Sequence, residues 1–267
     1  MSNTNRPSLG KKKRIVIKIG SSSITHAETG NMNYAKIEKL ARELCDLRGE
    51  GYDVCLVSSG AIAIGREVMA MDKPSTNVEK QALAAIGQAS LMMTYKRVFA
   101  QYDQRIAQVL LTKNTTDHAE QLENAINTFE QLFKFGVIPI VNENDALSTY
   151  EIQFGDNDTL SATVTKMVGA DLLVLVSDVD GLYTDDPRKC ENASLVEYVE
   201  TIDDDLLEMA KGSTGSNVGT GGMQTKLNAA LIATESGADM IIINSKQLDA
   251  LHQLFDNTYV GTLFKGK

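Results

Sequence analysis

Two lysines, and one run of acids and amides, supply most of the side chains in this sequence that could do chemistry. Residues 142–158, NENDALSTYEIQFGDND, hold Glu143, Asp145, Glu151, Asp156 and Asp158, with Asn142, Asn144 and Asn157 between them. The apolar run VIPIV (137–141) leads in and a helical pattern over 159–167 leads out. The stretch therefore reads as a long loop from the carboxyl end of a buried strand to a helix N-terminus, the edge where open α/β sheets bind ligands. Taken alone, NEND reads better as a solvated, Asn/Asp-rich turn; the second cluster, GDND, directly before a helix start, brings the two readings level. Lys18 closes the β-branched run RIVIKI (14–19), and Gly20, Ser21, Ser22 and Ser23 follow it. A lysine in a buried strand is costly unless its ammonium meets an anion. Backbone N–H groups and hydroxyls just beyond it could cradle a phosphate. The alternative is a lysine that snorkels to solvent. Lys226 lies one turn beyond the glycine-rich stretch KGSTGSNVGTGG (211–222), just inside a helix expected over 223–236. That stretch suits a linker, a lid or a phosphate loop.

The elements that must position these groups alternate strand with helix. Strands are expected at 14–19, 52–57, 105–111, 137–141, 171–176, 195–199 and, last, 240–243, with residues 261–264 closing the chain. Helices are expected at 33–48, 78–100, 119–135, 159–167, 203–210, 223–236 and 247–255, with a further one after Ser58, Ser59, Gly60 and Ala61. That last strand-to-helix turn aims free N–H groups at an anion. A polar loop at 177–188, SDVDGLYTDDPR, follows the strand at 171–176. The alternation predicts an α/β fold: a mostly parallel central sheet with helices on both faces, a three-layer sandwich. The acid-and-amide face at Glu120, Glu123, Asn124, Asn127 and Glu130 reads as solvated.

The composition narrows the function classes. The 267 residues are 43% hydrophobic and 23% charged, with a net charge of −9, so a basic nucleic-acid footprint is not expected. Apolar runs fall short of the roughly 18 residues that a membrane span needs. Cys45, Cys55 and Cys190 lack CxxC spacing and read as reduced thiols of a cytoplasmic protein. The first 13 residues read as a flexible, solvated tail. GxxxxGK[ST] and GxGxxG are absent, and His26, His118 and His252 lack metal-ligand spacing. What remains fits phosphoryl transfer, which asks for positioning and charge neutralisation rather than a protein nucleophile. Lys18 and Lys226 could bridge the transferring group, with Asp158 holding the two ammonium groups in place. An anionic acceptor needs no base, and magnesium would sit mainly on the nucleotide phosphates.

Six segments, in order, resemble the glutamate 5-kinases of the amino acid kinase family: VIKIGSSSIT (16–25), VSSGAIAIGRE (57–67), VNENDA (141–146), FGDNDTLSA (154–162), SDVDGLYTDDPR (177–188) and GTGGMQTK (219–226). Each is weak alone; together they span nearly the whole chain. The resemblance implies a carbamate kinase-like fold and the reaction ATP + L-glutamate → ADP + L-glutamyl 5-phosphate, the first step of proline biosynthesis. A related kinase for another carboxylate or carbamate acceptor is the alternative. The resemblance assigns catalysis to Lys18, Lys226 and Asp158, and glutamate binding to Ser59, Asp145 and Asn157 with Asn142 nearby. It assigns ATP contacts to Lys18, Ser177, Asp178, Thr220, Gly221, Gly222, Met223, Gln224, Thr225 and Lys226. It also implies Mg2+ with the ATP, a homo-oligomer (dimer or tetramer) and proline as feedback inhibitor. Residues 14–267 are expected to form one kinase domain, its N-terminal part binding glutamate and its C-terminal part ATP, without the C-terminal PUA-type domain that many bacterial members carry.

Overall fold

A computed structural model describes residues 6–147, 156–185, 190, 192–204, 206–207 and 222–267. The chain divides into two compact units, a terminal unit of Met1–Lys18 with Asp158–Lys267 and a middle unit of Ile19–Asn157.

The middle unit holds β2 (Asp53–Ser58), β3 (Ile106–Leu111) and β4 (Ile138–Glu143). They run in the order β3-β4-β2, and both pairings are parallel. Parallel strands are covered on both faces and read as continuous apolar runs, as β2 does in DVCLVS. Its helices are α1 (Ser21–Ile24), α2 (Tyr34–Gly49), α3 (Ala61–Met69), α4 (Asn77–Ala100), α5 (Lys113–Asp117) and α6 (Ala119–Lys134). Asn33 caps α2 by accepting from the Lys36 N–H, and Ile37, Leu40, Ala41, Leu44 and Leu47 form its buried stripe. A capping box of Thr76 and Glu79 starts α4. Helices α3 and α4 cross at backbone contact: a Cβ on Gly65 would lie 2.0 Å from the Leu83 carbonyl oxygen, and one on Gly87 1.8 Å from that of Ala61. An alanine at either position would force the two helices apart.

The terminal unit holds β1 (Arg14–Ile19, all but its last residue), β5 (Leu172–Ser177), β8 (Tyr198–Val199), β9 (Asp239–Asn244) and β10 (Gly261–Phe264), in the order β1-β5-β9-β10-β8. The pairing β5–β9 is parallel over six residues, β10–β8 is parallel and β10–β9 antiparallel. A two-stranded ribbon of β6 (Leu182–Tyr183) and β7 (Leu195–Val196) accompanies them. The helices are α7 (Asn157–Met167, all but its first residue), α8 (Met223–Glu235) and α9 (Ala250–Gln253). Every residue of β5 and β9 is buried.

Some expectations change. The strand expected to stop at Val141 continues through Asn142 and Glu143, because its ladder with β3 carries on to Leu110↔Asn142 and Leu111↔Glu143. The serines after Gly20 form a helical turn, α1. The solvated tail does not extend to residue 13. Arg6 is buried, donating to the carbonyls of Tyr259 and Gly261 and to Asn257 Oδ1, with its guanidinium 3.8 Å over the Tyr259 ring. Lys12 pairs with buried Asp239 at 2.7 Å. The glycine-rich stretch up to Gly221, half of the helix expected at 203–210, and residues 148–155 with Glu151 lie outside the described residues.

Candidate active site

Two clusters of polar side chains are built, one within each unit. In the terminal unit, β1 brings Lys18, the first turn of α7 brings Asp158, and the first turn of α8 brings Lys226. Lys18 Nζ lies 2.5 Å from Asp158 Oδ1 and Lys226 Nζ 3.1 Å from Oδ2. The side chains of Asp158, Lys226 and Lys18 are 1%, 7% and 12% exposed, so these are not screened surface pairs. Burial alone would raise the Asp158 carboxyl, but the two ammonium groups outweigh it and hold the carboxyl down at about 2. Thr225 Oγ1 lies 3.1 Å from Asp158 Oδ2 and 2.8 Å from the Gly222 carbonyl, two acceptors for its single hydrogen. The resemblance assigns Thr225 to ATP; in the structure its hydroxyl lies against the Asp158 carboxylate.

Gly222 is the N-cap of α8, and Met223 and Gln224 open it. Thr220 and Gly221 lie outside the described residues. Ser177 and Asp178 form a separate polar group at the carboxyl end of β5, with Ser177 Oγ donating to Asp178 Oδ1 at 3.1 Å. Beside them Asn244, paired with Ser177 in the ladder, donates to Asp180 Oδ1 at 2.8 Å, and the Tyr183 hydroxyl donates to Asp180 Oδ2 at 2.9 Å. Asn244 and Asp180 were not among the expected site residues, although Asn244 follows an apolar run in its strand much as Asn142 does.

In the middle unit, Ser59 follows β2, and Asn142 lies within β4. Gly60 holds φ at +111°, and a Cβ there would lie 2.6 Å from Ile24 Cδ1, so the turn after Ser59 demands glycine. Asn157 Nδ2 donates to Ser59 Oγ at 2.7 Å and to Asn142 Oδ1 at 3.0 Å, joining three of the four expected glutamate residues. Asn142 Nδ2 donates to Gln88 Oε1 at 3.0 Å. Ser58 meets the buried Tyr95 hydroxyl at 2.8 Å, and burial pushes that phenol up to about 12, so it stays neutral. Asp145, the fourth expected residue, lines a cavity of about 260 Å³ together with Gln88, Glu143 and Asn144. Burial, and then the nearby Glu143, raise its carboxyl to about 6. Gln88 and Tyr95 were missed by sequence reading; within an apolar helix their polar ends give no local signal.

One cluster can steady a migrating anion between two ammonium groups. The other offers amides, a hydroxyl and a half-buried acid to a small polar molecule. The fold matches that of carbamate kinase from Giardia lamblia bound to AMP-PNP, at a TM-score of 0.69 and 17% identity over 96% of this chain and 99% of that one. The sequence profile of the amino acid kinase family matches residues 13–244, and the chain belongs to that family. Within it, the chain is similar to the glutamate 5-kinase of Clostridium acetobutylicum, 46% identical over 98% of both chains. The glutamate 5-kinase of Carboxydothermus hydrogenoformans is 48% identical over 96% of this chain and 68% of its own longer one.

Proposed function

We propose that the chain transfers the γ-phosphoryl group of ATP to the side-chain carboxylate of L-glutamate, giving L-glutamyl 5-phosphate for proline biosynthesis. The observation that carries this reading is the pair of buried lysines on one carboxylate, in a chain 46% identical over 98% of its length to a glutamate 5-kinase. A carboxylate oxygen attacks the γ-phosphorus in line, the bond to the β,γ-bridging oxygen breaks, and ADP departs with that electron pair. The acceptor is already an anion, so no proton need be removed. Lys18 and Lys226 neutralise charge on the transferring group, and such groups act chiefly through electrostatics. Asp158 sets their positions. Magnesium enters as the MgATP substrate, held by phosphate oxygens; both oxygens of Asp158 already hold ammonium groups.

Ser59, Asn142, Asn157 and Asp145 bind glutamate, with ionised Asp145 facing its ammonium group. The turn at Ser177 and Asp178, with residues 220–226, receives the nucleotide. Proline competes at the glutamate site, the enzyme is a cytoplasmic homo-oligomer, and 14–267 acts as one kinase domain; these follow from the family resemblance. Among the described residues no helix is long and apolar enough to cross a membrane. The test is ADP release in a coupled assay with glutamate, aspartate and N-acetylglutamate as acceptors. Release dependent on glutamate, and at least ~10-fold faster than with the others, is expected. Equal or greater turnover with another acceptor would move the chain to a different branch of the family.

A further inference from the structure

The polar relay in the middle unit runs one way, from Gln88 on α4 through Asn142 to Asn157 and Ser59. Gln88 is 9% exposed and stands one residue beyond Gly87, whose missing side chain lets α4 touch α3. The Gln88 carbonyl oxygen accepts from Asn142 Nδ2, and this fixes which way the Asn142 amide faces. With its NH2 turned to Gln88, Asn142 offers Oδ1 to Asn157. Asn157 Nδ2 then spends its two hydrogens on Asn142 Oδ1 and Ser59 Oγ. An amide has two donors on nitrogen and acceptor capacity only on oxygen, so what Asn157 keeps for a ligand is an acceptor. Ser59, having accepted, keeps its O–H as a donor. Without the Gln88 acceptor, Asn142 can turn over, and each later group can reverse with it.

We infer that Gln88 is a positioning residue that sets the polarity of the acceptor site, presenting an acceptor at Asn157 and a donor at Ser59 to a zwitterionic α-amino acid. That pattern complements an ammonium group and a carboxylate carried on one carbon. A site of the opposite polarity would leave both pairs mismatched, and an unmatched polar group in a closed site costs more than a hydrogen bond gains. Gln88 acts through Asn142 and has no part in the transfer of the phosphoryl group. The inference rests on the glutamate reading above.

The experiment is a double-mutant cycle in steady-state kinetics on the full chain, with Gln88→Met, Asn142→Ala and the double variant. Gln88→Met keeps the bulk of the side chain and removes its acceptor. Glutamate KM is expected to rise on the order of 10-fold, the effect of one hydrogen bond and its neighbour's reorientation, with kcat and ATP KM each within about 2-fold of wild type. In the Asn142→Ala background the same substitution should move glutamate KM by less than about 2-fold, because the group it acts through is gone. Gln88→Asn, polar but one methylene short, should show the same split and serves where the methionine variant does not fold. Glutamate KM unchanged in Gln88→Met or Gln88→Asn, an equal rise in ATP KM, or full additivity with Asn142→Ala would each overturn the positioning role. Wild-type chain without glutamate-dependent ADP release would instead sink the substrate assignment, and this inference with it.

Discussion

The two clusters solve opposite electrostatic problems. The terminal unit gathers like charges, Lys18 and Lys226, and steadies them with one carboxylate that is 1% exposed. The middle unit assembles Ser59, Gln88, Asn142 and Asn157, groups with no net charge, and sets Asp145 in the neighbouring cavity. A fixed pair of cations suits a group that gains and spreads negative charge as it moves. Neutral dipoles suit a ligand that brings its own charges, since they bind it without charging the empty site. The two chemistries meet in the covalent chain: Asn157 and Asp158 are consecutive residues opening α7, the first bonded in the amide cluster and the second in the ionic one. The ionic cluster should therefore govern kcat and stability, and the amide cluster the glutamate KM.

Asp158→Ala should produce the largest loss, because it leaves two buried ammonium groups without their shared counter-charge. Breaking such a pair costs about 3–5 kcal/mol, read as a lowered urea midpoint. The same group fixes the acid response. Its folded-state carboxyl lies near 2, below its ordinary 3.8, so its stabilisation is complete above about pH 4 and is lost as pH falls toward 2. If the acid-unfolding curves of wild type and Asp158→Ala superimpose, the carboxylate is not held as described.

Asn157→Ala tests the other side. It removes both bonds of the relay and should raise glutamate KM by roughly 10-fold or more, with ATP KM little changed. A fall in kcat alone would blur the contrast between the clusters. A smaller effect belongs to Asp145. With its carboxyl raised to about 6 by burial and Glu143, it ionises as pH rises through that value. Its cost to stability builds up between the ordinary 3.8 and about 6, where the unfolded carboxyl has ionised and the folded one has not, and is complete above that. Glutamate binding gains, so kcat/KM for glutamate at saturating MgATP should climb between about pH 5 and 7 and level off above. Asp145→Asn should lack that limb; a limb identical to wild type would remove Asp145 from the ammonium contact.

The fold was largely legible because the apolar runs at 14–19 and 171–176 and the stripe Ile37–Leu40–Leu44–Leu47 follow strand and helix patterns directly. The lysine cluster was legible because a lysine inside an apolar strand and another just after a glycine run both ask for an anion. Gln88 and Tyr95 were not legible, since their partners lie 54 and 37 residues away and local pattern carries no such information. Arg6 was hidden by its polar neighbourhood, RPSLGKKKR, which reads as solvated until Tyr259 and Gly261 are brought beside it. The reach of β4 through Asn142 and Glu143 depends on β3, so its end could not be read from the run VIPIV alone.

Single-turnover transfer from ATP to glutamate, with the acyl phosphate trapped as its hydroxamate, tests the two-lysine claim most directly. The wild-type chain should form hydroxamate in stoichiometric yield, and Lys226→Ala should form it ~10²–10³-fold more slowly at an unchanged apparent affinity for glutamate. Equal rates in the two proteins, with ATP bound in both, would show that the ammonium group held against Asp158 takes no part in moving the phosphoryl group.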